Sequence, residues 1–198
     1  MSTADIIITP ARIFYGPLAE DLPDENTVDY GDPWGGNWAE IALTKTPFSM
    51  NREVSVFNAM VEQSTLHVKR SVTEEKVAFE TTLAELTATY LQLGTEGTVT
   101  PTAAGAAQVG MEELEFGGEV NLTERAWGVE GKFVTAAGLI FPIRMLIYRA
   151  TAVLNGQLQF AKGDSSGIPL RIESLGDLSK PVGKQLGKVQ KVLAPFTA

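Results

Sequence analysis

The sequence predicts a mainly β fold with a single packed helix, and two observations carry that reading. Apolar and polar side chains alternate in short runs broken by Gly and Pro, the period-two pattern of half-buried strands. Only one stretch, over residues 82–93, switches to apolar steps of three and four. The chain also has no cysteine, so it has neither a disulfide framework nor a thiolate metal site. With 198 residues and 44% hydrophobic content, one domain spanning 1–198 has enough apolar surface for a core.

"DIIITPARIFYGP" predicts an extended N-terminal arm and a first strand, divided at Pro10 and closed by Gly16-Pro17, so that residues 1–16 form one unit. "PLAEDLPDENTVDYGDPWGGN", 17–37, is rich in turn formers and carboxylates and reads as a long inter-strand loop. "WAEIAL", 38–43, gives the next strand. The stretch after it opens with a turn at Pro47 and is weakly patterned. Val54 and Val56 suit a strand there, while Phe48, Met50, Phe57 and Met60 are bulky apolar residues without a clear face. "TLHVKR", the turn "SVTEE" and "KVAFETT" predict a hairpin.

The second strand of that hairpin feeds directly into a helix over 82–93. Thr82 and Glu85 have capping-box spacing, Leu83, Leu86, Tyr90, Leu91 and Leu93 lie mostly on one face, and Gly94 suits the C-terminal cap. Residues 94–110, rich in Gly, Ala and Thr, read as a connector. "EELEFGGEV", "AWGVEGKFVTAAGLIFPIRMLIYRATAVL", "QLQFAKG" and "GIPLRIESL" supply further strands. Residues 177–198 form a C-terminal arm with a last strand at 188–193.

The net charge of −8 is unevenly placed. Residues 1–44 carry eight carboxylates against Arg12 alone, whereas 144–198 carry eight Lys and Arg against three carboxylates. An acidic start and a basic end suit head-to-tail association, and two separately solvated faces account for the same imbalance. An acidic protein without a concentrated basic patch is poorly built to grip nucleic acid, because phosphate contacts need clustered cations. No basic region precedes a long apolar run at the N-terminus, so no signal peptide is expected. The longest apolar stretch, "TAAGLIFPIRMLIY", is broken by Pro142 and Arg144, so no membrane span is expected.

Patterns that carry chemistry are weak. "GDSSG", 163–167, is close to the nucleophile motif of trypsin-like proteases, with Ser165 as nucleophile and His67, the only histidine, as base. Its fourth residue is Ser166 in place of Gly, His67 has the alternating neighbours of a strand, and a Gly-Asp-Ser turn explains the same residues. The acidic loop from Glu20 to Asp32 lacks EF-hand spacing, and one histidine cannot build a zinc site. Gly35-Gly36 and Gly117-Gly118 lack the spacing and context of a nucleotide fold. Glu112, Glu113 and Glu115 read as charges flanking a strand, and Pro181, Gly183 and Gly187 interrupt any basic helix through the C-terminal lysines. No catalytic residue, cofactor or metal is expected.

The order of elements is more informative. An extended arm, a strand opening with Trp38, a long loop, paired strands ending "VTEEKVAFETTLAELT", one helix, more strands and the closing "GIPLRIESLGDLSKPVGKQLGKV" resemble the major tail (tail tube) protein of long-tailed bacteriophages. The resemblance covers most of the chain and lies in element order and texture. It implies a β-sandwich or barrel-like tail-tube fold whose subunits close into hexameric rings. Two long strand pairs from each subunit then join a continuous inner β-barrel, with the helix packed outside. It further implies rings stacked into a hollow tube in the virion tail, through which DNA passes at ejection without specific binding. It places assembly in the bacterial host cytoplasm, with a tape-measure protein, a tail terminator and distal tail proteins as implied partners.

Elementary physics agrees with those expectations. Ring closure removes sheet edges that would otherwise recruit strands indiscriminately. Phe48, Met50, Phe57 and Met60 suit a loop buried only when the next ring docks, and they suit the subunit's own core equally well. Two other readings stay open. One is a related single-ring component (terminator or distal ring) or the tube protein of an injection system. The other is a β-sandwich binding module, whose exposed aromatics would be Tyr30 and Trp34.

Overall fold

Ile13 and Tyr15 face one side of the first strand and Arg12 and Phe14 the other, and this alternation starts a sheet with two differently covered faces. The computed structural model describes residues 11–193 except 42, 61, 63–65, 119–120, 135–137, 159 and 161–165. Strand makes up 50% and helix 5%, so the mainly β, one-helix expectation holds. The strands are β1 (Arg12–Gly16), β2 (Ala39–Ile41), β3 (Ser49–Ala59), β4 (Lys69–Leu83), β5 (Thr98–Thr102), β6 (Met111–Glu115), β7 (Arg125–Val134), β8 (Ile140–Leu154), β9 (Ile168–Ser174) and β10 (Gly187–Lys191), with α1 (Ala88–Thr95) after β4.

Seven strands follow one antiparallel path, β2-β1-β7-β8-β9-β4-β3, and β10 joins it on β8. At 15 residues, β8 is long enough for two strands to share one of its edges. β9 pairs with Ala150–Leu154 and β10 with Ile143–Ile147. The sheet curls until its first edge meets β4. Thr44 bridges Leu83, the Lys45 N–H donates to the Thr82 carbonyl at 2.7 Å, and the Ala84 N–H donates to the Leu43 carbonyl at 2.9 Å. A barrel therefore closes through β2, β1, β7, β8, β9 and β4, and closure leaves those strands no free edge at this seam. Of the eight strands in this sheet, β3 and β10 stand outside the circuit.

Inward residues of every wall strand fill the barrel, among them Ile13, Ile41, Phe79, Leu83, Trp127 and Ile172. α1 adds Leu93 to this core. The helix lies so close to β8 that a Cβ on Gly94 would come within 3.1 Å of the Leu154 backbone nitrogen, so glycine sets the approach. β5 and β6 form a separate antiparallel pair that packs beside α1.

The structure corrects several expectations. The helix runs 88–95, not 82–93, and its N-cap is Thr87, whose hydroxyl accepts from the Tyr90 N–H at 3.1 Å. Thr82 and Glu85 do not form the switch. Thr82 is a strand residue held to Pro169 and to the Thr46 hydroxyl, and Leu83 is wholly buried as the last rung of β4, so the ladder outcompetes helix there. Gly94 is inside the helix. The cap is Glu96, at φ 53°, whose carboxylate is held by Arg125 at 2.9 Å and Thr123 at 2.6 Å.

"SVTEE" is not a turn, since β4 runs unbroken through it, and the connector at 94–110 contains β5. The C-terminal arm is partly sheet, because β10 pairs along β8. The described residues of "QLQFAKG" form no strand, and the rest of that stretch, like residues 1–10 of the N-terminal arm, lies outside the described residues.

Candidate assembly surface

β3 and β4 pair over eleven rungs, from Ser49↔Glu80 at the barrel to Ala59↔Lys69 at the far end, where the Val68 N–H donates to the Ala59 carbonyl. Only the root of β4, Ala78–Leu83, also pairs with β9. The Val77 N–H, 3.1 Å from the Ser174 hydroxyl, marks where the hairpin leaves the barrel. Beyond that point the two strands have only each other: among the described residues no strand pairs with the outer edge of β3, and only β3 pairs with residues 69–77 of β4.

The register gives this ribbon two unlike faces. Met50, Val54 and Val56 share one face with Val72, Val77 and Phe79, crossed there by Arg52 and Glu75 and followed by Asn58 and Arg70, while the other carries Asn51, Glu53, Ser55, Phe57, Glu74 and Lys76. Phe79 is buried in the barrel and Val77 is half-buried, but Met50, Val54, Val56 and Val72 are exposed. The apolar stripe thus begins in the core and continues into water. Beside its root lies a cavity of ≈ 200 Å³ against β8 and β10, lined by Met50, Val77, Phe79, Ile147, Leu186 and Val189. Arg52–Glu75 at 2.7 Å and Lys76–Glu53 at 3.1 Å tie the strands together, but exposed pairs of this kind contribute little. β3 contains neither proline nor lysine, two devices that commonly keep an edge from pairing.

The four apolar residues singled out from the sequence separate here. The Phe48 ring stacks on Phe79, with centroids 5.3 Å apart, and packs against the subunit's own core. Met50 lines the cavity, while Phe57 and Met60 are each 60% exposed toward the far end of the hairpin. They stand on or next to a strand rather than in a loop. His67 is exposed in the 60–68 connection and not in a strand, and Ser165 lies outside the described residues.

A second cluster explains the acidic loop. Trp34 is 5% exposed, stacks on Phe14 at 3.9 Å with rings 11° apart, and meets Trp38 edge-on at 5.2 Å. A Cβ on Gly128 would lie 2.2 Å from the Trp34 ring, so only glycine lets the indole reach the sheet. The Trp34 indole N–H donates to Glu130, which is fully buried between Arg12 at 2.7 Å and Arg144 at 3.0 Å.

The register places Arg12, Glu130 and Arg144 side by side on β1, β7 and β8, a row of alternating sign. Arg144 also donates to the Val28 carbonyl at 2.6 Å, and Lys188 pairs with Asp21, so the loop is clamped from both ends. Bonds to Glu40 raise the Arg12 pKa, and the Lys188 bond lowers that of Asp21. Most of the acidic loop is exposed to solvent, but the alternative that made Trp34 available to a ligand is corrected: Trp34 is a packing residue on the barrel's outer wall.

Among the described residues no group of three or more His, Asp or Glu side chains is placed to hold a metal, and no helix is long and apolar enough to cross a membrane. The chain matches no protein-family model and no curated protein.

Proposed function

We propose that the protein is a structural subunit that builds rings, and from them a hollow tube, out of copies of itself, as the tail-tube proteins it resembles do. The β3–β4 hairpin carries this reading. A two-stranded ribbon is marginal by itself in water, and this one leaves both edges unpaired and an apolar stripe exposed on one face. A neighbouring copy supplies what is missing, namely strand partners for the edges and cover for Met50, Val54, Val56 and Val72. Contact between two different surfaces of identical chains repeats, and a suitable rotation closes it into a ring.

Phe57 and Met60 then lie at copy–copy contacts, whereas Phe48 stays in the core. Passage of DNA, a tape-measure partner, terminal tail proteins and a place in the virion tail come with the resemblance. The test is negative-stain microscopy of concentrated protein, beside the variant Val54→Asp with Val56→Asp. Wild type should form rings or tubes. The variant should unfold at the wild-type temperature but remain a monomer. A wild-type chain that stays monomeric at every concentration and salt overturns the reading, and single rings without tubes would point instead to a terminator or distal ring.

A further inference from the structure

We infer that a second contact joins copies end to end, in which the β5–β6 hairpin of one copy docks on the 176–186 loop of the next. The inference deepens the assembly reading and rests on it for its setting. The loop is firmly built. The Asp177 N–H donates to the Gln185 carbonyl across its base at 2.9 Å, the Ser179 N–H and hydroxyl both bond Asp177, and the Lys184 N–H donates to the Pro181 carbonyl at 2.9 Å. Yet it holds Leu178 82% and Val182 93% exposed, beside Lys184 and beside Lys180 stacked over Tyr148. A fixed loop that presents aliphatic side chains to water among cations has the character of a docking knob.

The β5–β6 hairpin has the complementary character. Its register puts Met111, Glu113 and Glu115 on one face with Thr98 and Thr100, and that face is exposed. Val109 and Phe116 flank it, and both are largely exposed. Charge decides the occupant. Residues 77–124 contain no lysine or arginine, and residues 178–198 contain no aspartate or glutamate. Neither patch can therefore pair with its own copy in a second molecule, because like charges would meet. Each fits the other patch, aliphatic against aliphatic and carboxylate against ammonium, which gives a head-to-tail contact that repeats along an axis.

Two variants test this: Glu113→Lys with Glu115→Lys, and Lys180→Glu with Lys184→Glu. Each should raise the concentration at which assemblies appear in sedimentation by about tenfold or more, since like charges are brought face to face. An equimolar mixture should assemble near the wild-type concentration, because in alternation every basic hairpin meets an acidic loop and every acidic hairpin a basic one. Assembly of both variants alone at the wild-type concentration overturns the docking, even where wild-type tubes uphold the assembly reading. So does a mixture that fails although each variant unfolds like wild type. If wild type never assembles but the two variants bind each other in calorimetry, the docking stands and the tube reading falls. Should a reversal fail to fold, Glu113→Gln with Glu115→Gln replaces it; an intermediate threshold supports the docking and an unchanged one overturns it.

Discussion

Glu130 is wholly buried, and two guanidinium groups, one of them on the buried Arg144, hold it in place. Removing Glu130 leaves Arg144 buried without a counter-charge, while Arg12 keeps Glu40. Glu130→Ala should therefore cost about 3–5 kcal/mol in urea denaturation, and a loss below about 1 kcal/mol would mean that the row contributes little. Two carboxylates farther out set the acid response. Burial pushes Glu96 up, but bonds from Arg125 and Thr123 outweigh it and hold the group below its ordinary value; the Lys188 bond does the same for Asp21. Groups with depressed pKa values contribute fully above their ordinary pKa, near 4, and that contribution is lost as pH falls through the depressed values. Urea midpoints should be level from pH 7 to about 5 and fall below about 4; midpoints that rise on acidification would contradict this. The row was not legible beforehand, because Glu130 and Arg144 alternate with apolar residues as solvent-facing charges do, and only the Trp34 loop makes their face an interior.

At the level of elements, two errors of reading share one cause. Val68 and Val72 fall on even positions of the strand region and Val77 and Phe79 on odd ones, which from sequence alone looks like a turn between two strands. The register slips between Ser55 and Val56, so that Thr73 is the extra residue of a bulge in β4, and a bulge shifts the alternation without ending the strand. In the same way Thr82 and Glu85 match a capping box, but burial of Leu83 in the ladder keeps them in or beside the sheet, and Thr87 caps without a glutamate three residues later. Thr87→Ala should lower stability by about 1 kcal/mol, and Thr82→Ala should have no effect on helix capping when both are followed by helical circular dichroism. Phe48→Asp should cost about 3 kcal/mol or more, because it places a carboxylate against Phe79, while Phe57→Asp should leave the unfolding temperature unchanged. Equal loss from both would return Phe57 to the core.

Across the whole molecule, composition and element order were enough to read a mainly β chain with one helix. They could not reveal which edges close and which stay open, since that depends on the curl that brings Thr44 to Leu83. The uneven charge was visible from the start, although its two ends turn out to be a clamped loop and a structured knob. The two proposed contacts respond differently to salt. At 1 M NaCl, where screening acts over about 3 Å, the charged end-to-end contact should weaken while the apolar hairpin contact persists. Images taken under those conditions should hold rings in place of tubes, and tubes of unchanged length would remove charge from the end-to-end contact.

β4 belongs to two structures at once. Its far half is one rail of the protruding ribbon, and its root is a stave of the closed barrel, laced to β9 from Ala78 to Leu83 and to the 43–46 segment at the seam. A pull on the far end of the ribbon along its length reaches the barrel parallel to those strands. The hydrogen bonds of the root then carry the load side by side, in shear, instead of opening one after another like a zipper. An assembly joined through such ribbons would pass tension from copy to copy through the stiffest direction of each fold.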